Sequence, residues 1–158
     1  MFSDSHSLLR SQWIGGGERM GLGLERLVYE SRATGSTTSL LNLVAILGES
    51  QRNNARDGVT GALAAHGDRF IQVLEGSTGA LDRLMRRLLE DARHRDLVVL
   101  ERTPIAERMF DRWVMASARI LPATAAVLDV LMASETPPAD RIAALLHEAL
   151  LVQEAELA

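Results

Sequence analysis

Cysteine is absent from the 158 residues, which excludes disulfides, thiolate metal sites and cysteine nucleophiles together. Lysine is absent as well: all 17 basic side chains are arginine, so no Schiff-base lysine, phosphate-loop lysine or lysine general base operates in this chain. Aromatic residues make up only 4% of it, and there is a single tyrosine. Any chemistry that needs a phenol therefore falls to Tyr29. Long apolar runs are missing too, since even the stretch from Ile142 to Val152 is broken by His147 and Glu148, and no bilayer-crossing helix is expected. Residues 1–23 hold the triple glycine 15–17 and no apolar run of signal-peptide type, so they read as a flexible extension and the expected location is cytoplasmic. The net charge of −4 gives no strongly basic face for nucleic acid or an anionic membrane surface. No second histidine stands at metal-ligand spacing from His94, and no Ser-His-acid set, phosphate loop or spaced carboxylate pair is visible. Neither a metal site nor an enzyme is expected.

The 47% of hydrophobic residues suffices for one compact core. Leu24 to Tyr29 reads as the start of a strand, with Leu27 and Tyr29 on one face and Arg26 and Val28 on the other. Ser36, Thr37, Thr38 and Ser39 offer N-caps to a helix in which Leu40, Leu43, Val44 and Leu47 share a face. That helix should fail near Asn53 and Asn54, which are poor interior residues. Val59 to Ala65 and Arg69 to Glu75 read as a hairpin around His66-Gly67-Asp68. Leu81, Leu84, Met85 and Leu88 mark a second helix, followed by strands at 97–100 and 113–120. After Pro122, segments 124–133 and 140–154 read as two more helices. The expected fold is α+β, a ferredoxin-like β-α-β-β-α-β-β sandwich with two additional C-terminal helices. The apolar stripe of the last helix suits either the free face of the sheet or a second subunit.

Gln72 lies between Phe70 and Leu74 on what should be the inward face of a central strand. A buried amide left unpaired costs about 1–3 kcal/mol, so a polar group must meet it; a one-residue register slip would instead turn it to solvent. Tyr29 is a candidate partner, although a half-buried strand tyrosine is common without any such role. Asn53 and Asn54 suit a helix terminus, and Arg87 and Asp91, one turn apart, suit a weak surface pair or, for Arg87, contact with an anion. Trp113 and Met115 should alternate onto one face of the last strand, where core filling is the ordinary role of such a pair.

In order along the chain, VYESRA (28–33), SQRNNARDGVTG (50–61), FIQVLEG (70–76), EDARH (90–94) and RMFDRWVM (108–115) resemble the BLUF family of blue-light sensors using flavin. The resemblance runs from about 24 to 120 and implies noncovalently bound FAD, with FMN or riboflavin as substitutes, and a photochemical cycle without net reaction. It implies that Tyr29 is the electron donor to the excited flavin, that Gln72 bridges Tyr29 and the ring, and that Asn54, supported by Asn53, fixes the ring edge. Arg87, Asp91 and His94 would line the flavin pocket, Trp113 and Met115 would flank Gln72, and Ser31 and Phe70 complete the expected contacts. The family's bulkier residues are replaced by Ala64-Ala65-His66, and Val114 stands in place of a small polar residue.

Three regions are thus expected: an N-terminal extension (1–23), a flavin-binding domain (24–121) and a C-terminal helical appendix (122–158) that carries the signal. With no output domain visible in the chain, the signal would pass to an unknown partner protein or through a homo-oligomer. The competing reading is a flavin-free ferredoxin-like interaction module. A flavin oxidoreductase is disfavoured because no dinucleotide fingerprint or substrate base is present.

Overall fold

The computed structural model describes residues 23–35 and 40–157. The expected leader up to 22, the caps at 36–39 and the side chains of Leu40, Leu43 and Val44 lie outside them. In chain order the elements are β1 (Leu24–Ala33), α1 (Leu40–Asp57), β2 (Thr60–His66), β3 (Arg69–Ser77), α2 (Thr78–Glu90), β4 (His94–Pro104), β5 (Ala116–Ser117), α3 (Pro122–Met132) and α4 (Ala139–Leu157). They build one sheet in the order β4-β1-β3-β2-β5, antiparallel except for the parallel β2–β5 pair. This is the expected ferredoxin-like arrangement with a fifth strand added beside β2.

The period-two alternation of the strands sorts their side chains into two cores. Leu27, Tyr29, Leu63, Phe70 and Leu74 face α1 and α2, where they meet Ile46, Leu47, Ala80, Leu81 and Leu84. Val28, Ala62, Ala64, Ile71 and Val73 face the other way, onto Leu128 and Leu131 of α3 and Ile142, Ala143, Leu146 and Leu150 of α4. Ile142, Leu146 and Leu150 of the last helix's stripe are therefore spent on the sheet, the first of the two uses its sequence allowed, while Val152 stays exposed. No helix among the described residues is long and apolar enough to cross a membrane.

Two backbone positions make this packing possible. At Gly67, φ of +61° lets a two-residue loop reverse the chain between His66 and Arg69. At Gly61, any β-carbon would lie 1.9 Å from the Val73 carbonyl oxygen, so only glycine admits this approach of β2 to β3.

Several boundaries differ from those read in the sequence. Asn53 and Asn54 lie inside α1, which continues to Asp57, because packing of the helix on the sheet overrides the weak propensity of asparagine. The last strand is two residues long rather than spanning 113–120. β4 is eleven residues long, and two register shifts against β1 conceal its alternation. Within it, Asp96 takes φ of 55°, a left-handed conformation rare outside glycine and typical of a bulge. On the same border strand, Val98 and Val99 are half exposed.

Candidate functional site

Antiparallel pairing of β1 with β3 sets Tyr29 directly opposite Gln72. Both side chains are buried, at 2% and 5% exposure, on the face covered by α1 and α2. The Tyr29 hydroxyl donates to Gln72 Oε1, and Gln72 Nε2 donates to Met115 Sδ at 3.2 Å. One amide thus joins a phenol to a thioether, with its donor and acceptor ends committed in opposite directions. The Met115 backbone carbonyl in turn accepts from Gln51 Nε2 of α1 at 3.0 Å.

Burial pushes the Tyr29 phenol well above its ordinary range, and the Asp91 carboxylate adds to the rise. Tyr29 is accordingly a neutral hydrogen-bond donor throughout the working pH range. An electron cannot leave such a group cheaply unless its proton moves as well, and Gln72 Oε1 stands at that proton.

Around this pair the ends of α2 and β1 are tied by polar contacts. His94 Nε2 meets the Leu88 carbonyl oxygen at 2.6 Å and Nδ1 meets Ser31 Oγ at 2.7 Å. Because a carbonyl only accepts, Nε2 carries a proton; in the neutral ring the buried Ser31 hydroxyl then donates to Nδ1. The His94 ring also stands edge-on to Tyr29, with centroids 6.2 Å apart. Phe70 is buried on the same face.

The expected Arg87–Asp91 pair does not form. Asp91 is the C-cap of α2 with extended φ and ψ of −77° and 118°, so its side chain leaves the helix surface and accepts from Arg93 Nε at 2.9 Å. Those hydrogen bonds hold its carboxyl below the usual range. Arg87 instead reaches Asp57 at the end of α1, at 3.3 Å, and Arg93 reaches Glu49 at 3.2 Å. Two ion pairs therefore link α1 with α2 and the turn that follows it.

Asn54 is the exception to this satisfaction. It is 1% exposed, yet neither its Oδ1 nor its Nδ2 has a hydrogen-bond partner. Native interiors rarely leave both ends of an amide open, at about 1–3 kcal/mol for each group. A planar heterocycle with a carbonyl beside a ring N–H would satisfy both, and flavin has such an edge. The residues present fit that cofactor. Asn53, next to it, is half-buried.

Trp113 is not beside Gln72. It packs in the opposite layer with Phe110 and His147, ring centroids 6.2 and 5.7 Å away, and the Arg112 guanidinium lies 5.2 Å from its ring centre. Val114 and Met115 form a bend and Trp113 precedes it outside any strand, so the alternation that would put Trp113 and Met115 on one face does not apply.

Two residues unmarked in the sequence reading hold this connection in place. Glu75, fully buried, pairs with Arg26 at 2.8 Å and accepts from the backbone N–H groups of Met109 at 3.0 Å and Phe110 at 2.6 Å. Arg108 donates to Thr60 Oγ1, the Glu75 carbonyl and the Gly58 carbonyl at 2.9, 3.0 and 2.9 Å. The available signal was Glu75 itself, a charge in phase with Ile71 and Val73 on a central strand.

The ferredoxin-like sheet thus carries a buried tyrosine–glutamine pair and an asparagine with both amide ends open on its helix-covered face. The sequence model of BLUF, described as sensors of blue-light using FAD, matches residues 24–116, and the chain belongs to that family. The chain is 36% identical over 96 residues to the photoactivated adenylate cyclase subunit beta of Euglena gracilis, an alignment covering 60% of this chain and 11% of that protein. The corresponding subunit of Euglena longa is 38% identical over 96 residues, again 60% of this chain and 11% of the relative. The chain thus spans about a tenth of these relatives' length. Among solved structures, the BLUF protein BlrB in its dark state superposes with a TM-score of 0.68 at 32% identity, over 81% of this chain and 96% of BlrB. BlsA in its photo-activated state gives 0.68 at 27% identity, over 80% and 94%.

Proposed function

We propose that this chain senses blue light through a Tyr29–Gln72 hydrogen-bond switch and passes the change to a partner protein. The observation that carries the reading is the Gln72 amide held between the Tyr29 hydroxyl and the Met115 sulfur, on the helix-covered face where Asn54 is open.

Flavin, when bound, supplies absorption of blue light and an excited state able to take one electron and return it. Asn54 would hold the ring edge with Asn53 beside it. Ser31, Phe70, Asp91 and His94 would shape the pocket, and Arg87, only half committed to Asp57, would face the ribityl or phosphate portion. FAD is the expected form, with FMN or riboflavin able to fill the ring site. Tyr29 gives up an electron together with its phenolic proton and recovers both, so the cycle closes without net reaction. During that excursion the Gln72 side chain exchanges donor for acceptor at the position facing Tyr29, by rotation, the route taken up below, or by tautomerisation. Residues 24–121 form the sensing unit, and the helices at 122–158 carry the output to a downstream protein or a second copy, in the cytoplasm.

Absorption spectra of the purified protein before and after blue light test this directly. A reversible red shift of the flavin band is expected. Tyr29→Phe should retain flavin and lose the shift, and Gln72→Leu should lose it with an altered dark spectrum. A Tyr29→Phe protein that still shifts and recovers normally removes Tyr29 as the donor, and a protein unable to take up flavin supports the interaction-module reading instead.

A further inference from the structure

Among the described residues β5 ends the sheet, with β2 on one side and no strand on the other. Its ladder is short: Ala116 and Ser117 pair with Ala62 and Leu63, and the Ala118 N–H donates to the Leu63 carbonyl at 2.9 Å. Backbone groups alternate in direction along an extended chain, so the Ser117 carbonyl and the Arg119 N–H point away from β2. One side chain takes both. Gln153 of α4 donates from Nε2 to the Ser117 carbonyl at 3.0 Å and accepts the Arg119 N–H at Oε1. A primary amide offers the same donor and acceptor as a peptide unit, and Gln153 stands where a neighbouring strand would. Further along, Gln51 of α1 donates to the Met115 carbonyl at 3.0 Å. The exposed pairs Arg112–Glu154 and Arg119–Glu156 bring the same end of α4 to this segment.

We infer that Gln153 and Gln51 are positioning residues for Met115: their amides fix β5 where the Met115 sulfur accepts from Gln72, and so couple the orientation of Gln72 to the seating of the last turns of α4. The inference rests on the switching role proposed for Gln72. Once that amide is turned end for end, Oε1 faces the sulfur, two acceptors meet, and Met115 must withdraw. Withdrawal pulls on Ser117 and Arg119, and the Gln153 amide resists it. The clamp therefore favours the Gln72 orientation seen in the structure over the turned one, and loosening it prolongs the life of the turned state.

The full chain loaded with flavin is illuminated, and its thermal return in darkness is timed while amide hydrogen exchange is followed at residues 115–119 and 150–157. Gln153→Ala should return about 5-fold more slowly, the rate equivalent of one hydrogen bond, and the Arg119 N–H should exchange faster in its dark state. Illumination of the wild type should raise exchange in both segments. Gln153→Glu adds a readout that simple loosening would not give. Its carboxylate still accepts from Arg119 but has no proton for the Ser117 carbonyl, and it regains one on acidification. Its return should be slow at neutral pH and approach that of the wild type as pH falls into the carboxylate range, about 4–5, with Arg119, Glu148, Glu154 and Glu156 as the charged groups around the site. If the Ala variant does not fold, the Glu variant and the wild-type exchange carry the test. Variants that keep flavin but return at the wild-type rate at every pH, or faster, overturn the inference alone. A wild type with no red shift overturns the Gln72 reading and the inference with it.

Discussion

Glu75 and Asn54 are both buried polar side chains, one behind the sheet and one in front of it, and their surroundings are opposite. Glu75 lies among the residues that meet Phe110 and the C-terminal helices, and Arg26 and two backbone N–H groups satisfy its carboxylate. Asn54 belongs to α1 and is buried with both ends of its amide open. The rear layer is a finished core that uses a charge to anchor a loop. The front layer is completed by something the chain does not itself contain.

The comparison is broken most severely at Glu75. Glu75→Ala strands the Arg26 guanidinium, 15% exposed, and two amide donors, and should cost about 3–5 kcal/mol in denaturant unfolding, with or without flavin. Asn54→Leu should act in the reverse sense on the flavin-free protein. Replacing an unpaired buried amide with an apolar group of similar size should raise its stability by about 1–3 kcal/mol, while flavin retention on gel filtration falls sharply. A loss of stability without flavin would show that Asn54 is satisfied within the chain. The smallest effect concerns Tyr29 and pH. Its folded pKa lies above the unfolded one, so the folded state holds the proton longer; the associated stability is complete below about pH 10 and is lost as pH rises beyond it. Tyr29→Phe should flatten the fall in melting temperature above that pH, on top of a pH-independent loss from the Gln72 Oε1 it leaves unpaired.

The sequence carried the front face well, for a physical reason. Strand alternation places Tyr29, Phe70, Gln72 and Leu74 together without knowledge of the rest of the fold, and a polar residue in that phase marks itself. Helix α2 was equally legible from Leu81, Leu84, Met85 and Leu88. What alternation could not give was anything beyond a bulge or a bend. The Asp96 bulge hid the length of β4, and the bend at 114–115 separated Trp113 from Met115. The ion-pair partners of Arg87 and Asp91 were missed because the helix stops between them, which redirects Asp91 to Arg93. Gln51 and Gln153 gave no signal, since a glutamine on a helix surface is ordinary until a strand edge is brought beside it.

The bulge at Asp96 has a bearing on how this molecule behaves in a crowd. An outer strand with adjacent exposed valines, as β4 is among the described residues with Val98 and Val99, is in general a template on which further chains can stack into fibrils. Register shifts on either side of those valines leave only a short stretch of evenly spaced amides, too short to seed a cross-β ribbon. A single left-handed aspartate thus divides this border strand into runs shorter than edge-to-edge pairing favours.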